Sequence, residues 1–230
     1  MNDFFLIIGS ILVGSILRYF SNQLPFYVMR EDLKYLYDYY PKACKIKQFK
    51  KRYYVFEVLS IVLTFFVIKS FGYTISAILL LILGWLLLLL ASIDVEYQLL
   101  PDVITLTILW VGLMANSFHL FISPAMAIWG VIYGYGSIWM FGCLFKLITH
   151  VEGIGQGDFK LIAALGAWWG IKPLILIVFI ASCLGSTAGL MMKICQPRGN
   201  QDSCQMIPFG FFLTISVFIV LVYSTYNGLF

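Results

Sequence analysis

Long apolar runs, separated by short polar clusters, make up most of the chain. Residues 70–93, 103–145 and 203–230 contain no Asp, Glu, Lys or Arg. One membrane crossing needs roughly 20 apolar residues, so the run 103–145 is long enough for two crossings. Asn, Ser and Pro residues between 116 and 124 supply the turn that must separate them. The pattern therefore predicts an all-α, polytopic membrane protein.

The spacing of these runs predicts about eight transmembrane helices, of which the sixth is short. They cover residues 4–22, 53–69, 73–93, 103–121, 125–146, 159–170, 173–194 and 207–227. Trp168, Trp169, Gly170 and Pro173 mark the turn after the sixth helix. Both Trp side chains are expected at the depth of the lipid headgroups.

Composition supports the membrane assignment and excludes other classes of protein. The chain is 61% hydrophobic and only 11% charged, whereas soluble domains have about 25% charged residues. The net charge of +4 comes from a local cluster of Lys and Arg, so it does not indicate a nucleic-acid partner. The five Cys residues form no C-x-x-C pair, and therefore predict neither a zinc site nor a redox pair.

The basic residues predict how the chain is oriented in the membrane. With the N-terminus in the periplasm, 13 of the 15 Lys and Arg residues fall on the cytoplasmic face, and only Lys69 and Lys172 fall outside. We therefore divide the chain into an N-terminal transmembrane helix over 1–27, a short basic cytoplasmic loop over 28–52, and a membrane core over 53–230. Membrane lipid is an expected partner of this core and of the loop.

Carboxylates near the membrane boundary are the main candidates for chemistry, because charge at that depth is costly. Six acidic residues fall at or near predicted cytoplasmic helix ends: Glu57, Asp94, Glu96, Asp102, Glu152 and Asp158. Asp94 ends an apolar run at a helix C-terminus, where the helix dipole disfavours a carboxylate. Asp102 follows Pro101, and this pair suits a helix N-terminus, so a structural and a functional role for Asp102 stay equally open.

A glycine-rich segment, residues 152–160, precedes the sixth helix. Gly153, Gly155 and Gly157 permit unusual backbone angles and the close approach of another chain. Asp158 opens the helix, and its structural alternative is an N-cap. Since Asp94 needs a partner and both aspartates are predicted on one face, we favour a functional pair of Asp94 and Asp158.

Two carboxylates in one site titrate as a coupled pair that holds one proton near neutral pH. The ionised member deprotonates a water molecule, while the protonated member polarises a scissile carbonyl, so a peptide is hydrolysed without a metal. The sequence has no H-E-x-x-H or G-x-S-x-G motif that would supply another mechanism. The pair therefore predicts an aspartic endopeptidase.

Both segments resemble motifs of the bacterial prepilin peptidases, the type IV prepilin leader peptidases among the GxGD-type intramembrane aspartyl proteases. Residues 93–102 resemble the first aspartate motif, with Asp94 followed by Leu100, Pro101 and Asp102. Residues 152–160 resemble the second, and the matching positions are Gly155, Gly157, Asp158 and Lys160. Two shorter elements also resemble the family, Arg52-Tyr53 followed by Glu57, and Pro208-Phe209-Gly210.

The resemblance implies an enzyme of the bacterial inner membrane that cuts the leader from a type IV prepilin or pseudopilin at the cytoplasmic face. It implies Asp94 and Asp158 as the catalytic pair. Supporting or substrate-positioning roles would fall to Pro101, Asp102, Glu152, Gly155, Gly157, Lys160, Pro208, Phe209 and Gly210. Many members also methylate the new N-terminus with S-adenosylmethionine, a reaction associated with the region of Glu57, whereas proteolysis needs no metal.

One feature departs from the family pattern. Typical members carry two C-x-x-C pairs after the first helix, but Cys44 is the only Cys in the corresponding loop of this chain. A tetracysteine zinc site cannot form from one thiol. The resemblance therefore carries over more firmly for cleavage than for methylation.

Two other classes of function stay open on the sequence. A membrane transporter or channel would use intramembrane carboxylates to relay protons or ions, but the chain shows no internal repeat. A non-catalytic membrane scaffold would leave Asp94 without an explanation.

Overall fold

A computed structural model of the chain describes residues 9–20, 55–149, 155–195 and 208–226. These residues form eight helices and no strand, as the apolar pattern predicts. The helices are α1 Gly9–Phe20, α2 Val55–Phe71, α3 Ile75–Tyr97, α4 Asp102–Ser117, α5 Pro124–Thr149, α6 Gln156–Trp169, α7 Ile171–Cys195 and α8 Phe209–Tyr226. The basic loop over 28–52 lies outside the described residues.

Four of these helices, α3, α5, α7 and α8, are long and apolar enough to cross a membrane. Their described lengths of 23, 26, 25 and 18 residues fit the roughly 20 residues that one crossing requires. The described part of the chain is thus that of a multi-pass membrane protein. It stays a prediction that all eight helices cross the membrane and that the N-terminus is periplasmic.

Several helix boundaries differ from those predicted. Helix α3 continues one turn past residue 93 and ends at a left-handed Gln98, with φ 54° and ψ 35°. Helix α6 begins at Gln156 rather than at residue 159, since Gly155 takes the N-cap position. Helix α4 ends at Ser117, four residues early, because the chain turns where Asn116 is buried.

The chain divides into two compact units, and the described residues of unit 1 are 9–20 and 55–98. In this unit α1 and α2 make close contact at Gly14, where a Cβ atom would lie 2.7 Å from Ser60 Oγ. The Ser60 hydroxyl donates to the Ser10 carbonyl at 2.9 Å. Small side chains and an interhelical hydrogen bond are the usual means of holding helices together in a membrane.

Unit 2 contains described residues 99–149, 155–195 and 208–226, and the short helix α6 is its core. Every residue of α6 from Leu161 to Trp169 is buried. Helices α5 and α6 meet backbone to backbone, because a Cβ atom on Gly130 or on Gly166 would collide with the carbonyl of the other. Glycine at both positions lets the two helices approach more closely than any side chain would allow.

The C-terminal end of α6 is fixed by Asn116 of α4. The Asn116 amide donates to the carbonyl oxygens of Ala167 at 2.7 Å and Trp168 at 3.2 Å. Its Oδ1 accepts from the backbone N–H groups of Phe121 and Ile122. The residue therefore satisfies helix-end carbonyls and the following turn at the same time.

The expectation that both Trp side chains lie at headgroup depth stays a prediction, and the side chain packed inside unit 2 is that of Trp168. Its side chain is 1% exposed, its ring covers Gly112, and its indole N–H donates to the Ile108 carbonyl at 2.9 Å. Trp169 is also buried. Packing inside unit 2 determines their position, and Trp168 has the buried hydrogen-bond partner that an indole N–H requires.

Replacing Gly130 by Ala should destabilise the protein, because the new methyl group collides with the backbone of α6. We expect a loss of about 1–3 kcal/mol in the free energy of unfolding, measured by thermal unfolding in detergent. Gly136→Ala on the same helix is the matched control, since nothing lies within 4 Å of its Cβ position. That control should be neutral or gain up to about 1 kcal/mol from helix propensity. Equal effects of the two variants would contradict the close contact of α5 and α6.

Candidate active site

Asp94 lies in the last turn of α3, within unit 1, and only 5% of its surface is exposed. Its backbone carbonyl accepts from the N–H of Gln98 at 2.9 Å, where the helix ends. The C-terminal end of a helix carries partial negative charge, which disfavours a carboxylate at this position. Helix electrostatics therefore do not explain why an acidic side chain is buried here.

Asp158 is the third residue of α6, within unit 2, and it is half-buried. The alternative that it is the N-cap is wrong, because Gly155 occupies that position and its carbonyl accepts from the Asp158 N–H at 3.2 Å. A Cβ atom on Gly155 would lie 3.3 Å from Asp158 Oδ2. The carboxylate thus turns back over a glycine, in the first helical turn, where the dipole favours negative charge.

Two contacts in unit 2 join the second half of the first motif to the second motif. Lys160 Nζ pairs with Asp102 Oδ2 at 2.5 Å. A Cβ atom on Gly157 would lie 2.9 Å from the Cβ atom of Leu100, so the two segments touch at a position that only glycine permits. We call these two contacts the motif clamp. It attaches the residues that follow α3 to the first turns of α6, the helix that carries Asp158.

The motif clamp gives both explanations of Asp102 some support. Asp102 is the first residue of α4, after Pro101 in the N-cap position, as the sequence predicts for a structural role. Its side chain also contacts Lys160, a residue of the second motif, and this contact supports a functional role. Because Asp102 is 55% exposed and Lys160 is 31% exposed, solvent screens this ion pair and its contribution to stability is small.

Glu57 lies in unit 1, in the first turn of α2, and its Oε1 atom pairs with Arg18 of α1 at 3.1 Å. Its second carboxylate oxygen, Oε2, is buried and has no hydrogen-bond partner among the described residues. Such a buried acceptor without a donor calls for an explanation. Arg18 was not predicted as a partner of Glu57, although a lone Arg at the end of an apolar helix was a visible signal.

The remaining candidates are less closely connected. Pro208 precedes α8, and Phe209 and Gly210 begin it. A Cβ atom on Gly185 of α7 would lie 3.8 Å from the ring of Phe209. Glu152 and Cys44 lie outside the described residues. Among the residues that are described, no three His, Cys, Asp or Glu side chains are grouped for a metal ion.

Both aspartate motifs fall within the part of the chain that matches a known family. Residues 81–190 match the profile of the type IV leader peptidase family. Over these residues the chain is similar to that family. The matched range includes Asp94, Asp158 and both contacts of the motif clamp, whereas Glu57 and Pro208 lie outside it.

Curated relatives named prepilin leader peptidase/N-methyltransferase extend this match. The relative from Pseudomonas aeruginosa is 43% identical over 174 residues, which are 76% of this chain and 59% of that protein. The relative from Stutzerimonas stutzeri is 42% identical over 182 residues, 79% of this chain and 62% of that protein. The relative from Neisseria gonorrhoeae is 38% identical over 169 residues, 74% of this chain and 57% of that protein.

The chain spans less than two thirds of the length of these leader peptidase relatives. No solved structure matches it. Similarity to a peptidase family does not favour the alternative of a transporter or channel.

Replacing Gly157 by Val should break the motif clamp, because the added side chain displaces Leu100. We expect a loss of about 1–3 kcal/mol in the free energy of unfolding, measured by thermal unfolding in detergent. Gln156→Val is the matched control, since Gln156 is exposed and is the preceding residue of the same helix. If Gly157→Val is no less stable than this control, the contact with Leu100 does not limit the size of the side chain at position 157.

Proposed function

We propose that the protein is a prepilin leader peptidase of the bacterial inner membrane, with residues 53–230 as its peptidase core. It hydrolyses the leader peptide of a type IV prepilin or pseudopilin at the cytoplasmic face, and Asp94 and Asp158 are its catalytic pair. The observation that carries this proposal is the burial of Asp94 at the end of an apolar helix, inside a leader peptidase family match that also contains Asp158.

In the proposed reaction the two carboxylates share one proton before the substrate reacts. The ionised aspartate takes a proton from water, and the oxygen of that water attacks the carbonyl carbon of the scissile bond. The protonated aspartate donates a hydrogen bond to the carbonyl oxygen as negative charge develops there. The C–N bond then breaks, the leaving nitrogen takes a proton from the pair, and the products are a carboxylic acid and an amine.

The glycines before Asp158 fit a role in admitting the substrate backbone. Gly155 is exposed and caps α6, and the Asp158 carboxylate lies directly over it. A side chain at this position would compete with an extended peptide for the space beside the carboxylate. The motif clamp also connects the segment that follows Asp94 along the chain to the first turns of α6.

Replacing either Asp94 or Asp158 by Asn should abolish cleavage, because each removes one half of the proton-sharing pair. We expect a fall in the cleavage rate of at least about 100-fold, measured with purified protein and a prepilin substrate by mass spectrometry of the products. Membrane insertion and the unfolding temperature should stay close to those of the unsubstituted protein.

Asp102→Asn is the comparison variant, and it should retain a substantial part of the activity. Persistent cleavage by Asp94→Asn or Asp158→Asn would overturn the catalytic assignment. Complete loss in Asp102→Asn, with activity remaining in Asp94→Asn, would transfer the role from Asp94 to Asp102.

We further propose that the protein methylates the new N-terminus with S-adenosylmethionine, as the name of the relatives suggests. When bound, S-adenosylmethionine supplies an electrophilic methyl group and carries positive charge at its sulfonium and amino groups. The buried Glu57 Oε2 atom, which lacks a donor among the described residues, suits such a cation. Glu57 would then have two partners, Arg18 on one oxygen and the methyl donor on the other.

Glu57→Gln should weaken binding of labelled S-adenosylmethionine by about 10-fold or more, measured by equilibrium dialysis, because it removes a charged hydrogen-bond acceptor. Cleavage should persist, and the product should lack the added methyl mass. Arg18→Gln breaks the same ion pair but retains the carboxylate, so it should bind the donor more tightly than Glu57→Gln does. Equal losses in both variants would mean that the ion pair acts only through structure.

A further inference from the structure

A cavity in unit 2 lies at the opposite end of α6 from Asp158. It has a volume of ≈ 730 Å³ and is lined by residues that include Trp129, Tyr133, Trp169, Lys172, Leu176 and Tyr223. Trp169 ends α6 and Asp158 lies in the first turn of that helix. At 1.5 Å per residue, the two are separated by about 17 Å along the helix axis. The cavity volume is in the range of about 300–1,000 Å³ that is typical of small-molecule sites.

Lys172 is the feature of this cavity that the fold does not explain. It is the second residue of α7, where the positive end of the helix dipole opposes a cation. It is exposed, and no ion pair to it is found within the described part of the chain. It is also predicted on the outer face, against the positive-inside rule.

Lys69, the other cation predicted outside, differs in its position on the helix and in its contacts. It lies in the last turn of α2, where the dipole favours positive charge. Its ammonium group lies 5.8 Å from the centroid of the Phe65 ring, within reach of a cation–π interaction. Lys69 therefore has a contact inside the protein, whereas no ion pair of Lys172 is found among the described residues.

The cavity combines an apolar interior with polar atoms at its aromatic edge. Trp129 and Tyr133 have ring centroids 5.6 Å apart, and both rings are about half exposed. Aromatic side chains with a polar tip are those that favour the membrane–water boundary. Beyond Leu176, which lines the cavity, α7 carries the exposed apolar side chain of Phe179, which acyl chains can contact.

We propose that this cavity binds one anionic phospholipid of the outer leaflet. The headgroup phosphate pairs with the Lys172 ammonium, and one acyl chain fills the apolar space between α5, α7 and α8. Charge favours this occupant. The Lys172 ammonium has no ion pair among the described residues and lies beside an apolar cavity at the predicted membrane boundary. A phospholipid supplies both a phosphate for the ammonium and hydrocarbon for the cavity. An apolar peptide helix has no group that would neutralise Lys172.

Native mass spectrometry of the detergent-purified protein tests the proposal, with phosphatidylglycerol and phosphatidylcholine of identical acyl chains as probes. We expect one phosphatidylglycerol to be retained per chain, and phosphatidylcholine to bind more weakly. Lys172→Gln should weaken phosphatidylglycerol binding about five-fold, which corresponds to about 1 kcal/mol for one basic residue near an anionic lipid. Lys69→Gln is the matched control and should leave binding unchanged.

A second pair of variants tests the cavity rather than the charge. Leu176→Trp fills the cavity and should reduce binding of both lipids, whereas Ile175→Trp, on the neighbouring position that does not line it, should not. Equal retention of the two lipids, or no effect of Lys172→Gln, would overturn the proposal. A dimer that Leu176→Trp abolishes, or lipid-independent binding of a prepilin helix, would instead identify a protein as the occupant.

Discussion

The fold of unit 2 depends on burying α6, a helix of 14 residues that other helices surround. A buried helix in a membrane protein cannot be held by the hydrophobic effect alone, since lipid is as apolar as its neighbours. Close packing replaces that force where Gly130 and Gly166 bring two backbones into contact. The amide of Asn116 then satisfies carbonyls at the end of α6. The first turn of this rigid helix carries Asp158, so the packing of α6 sets the position of a candidate catalytic group.

The number and type of helices could be predicted from the sequence because lipid imposes a minimum apolar length on each crossing. Boundaries were less predictable where the ending residue gives no chemical sign. Gln98 adopts a left-handed conformation that usually indicates Gly or Asn, and α3 consequently ends four residues later than predicted. The start of α6 differs from the prediction for another reason. A glycine-rich segment predicts a loop, but Gly155 is the N-cap of α6 and Gly157 is the second residue of that helix.

The candidate site was predictable as a set of residues but not as a set of contacts. Asp94 and Asp158 stand out because charge is rare in this chain, and the family match covers both. The pairs Lys160–Asp102 and Arg18–Glu57 join residues 58 and 39 positions apart, and no local pattern specifies such pairs. The contact of Leu100 with Gly157 was not predictable for another reason, because an apolar residue shows its role only through the glycine that it touches.

The hydrogen bonds of Asn116 impose an order on the biogenesis of the protein. Its Oδ1 accepts from residues 121 and 122, so the turn between α4 and α5 can close as soon as both have left the ribosome. Its Nδ2 donates to residues 167 and 168, which are synthesised about 50 residues later. Until those residues are synthesised, the side-chain N–H groups of Asn116 lie in the bilayer without their final acceptors. Leaving these donors without acceptors costs about a few kcal/mol. Translation thus delivers α6 to a hairpin already shaped to receive it.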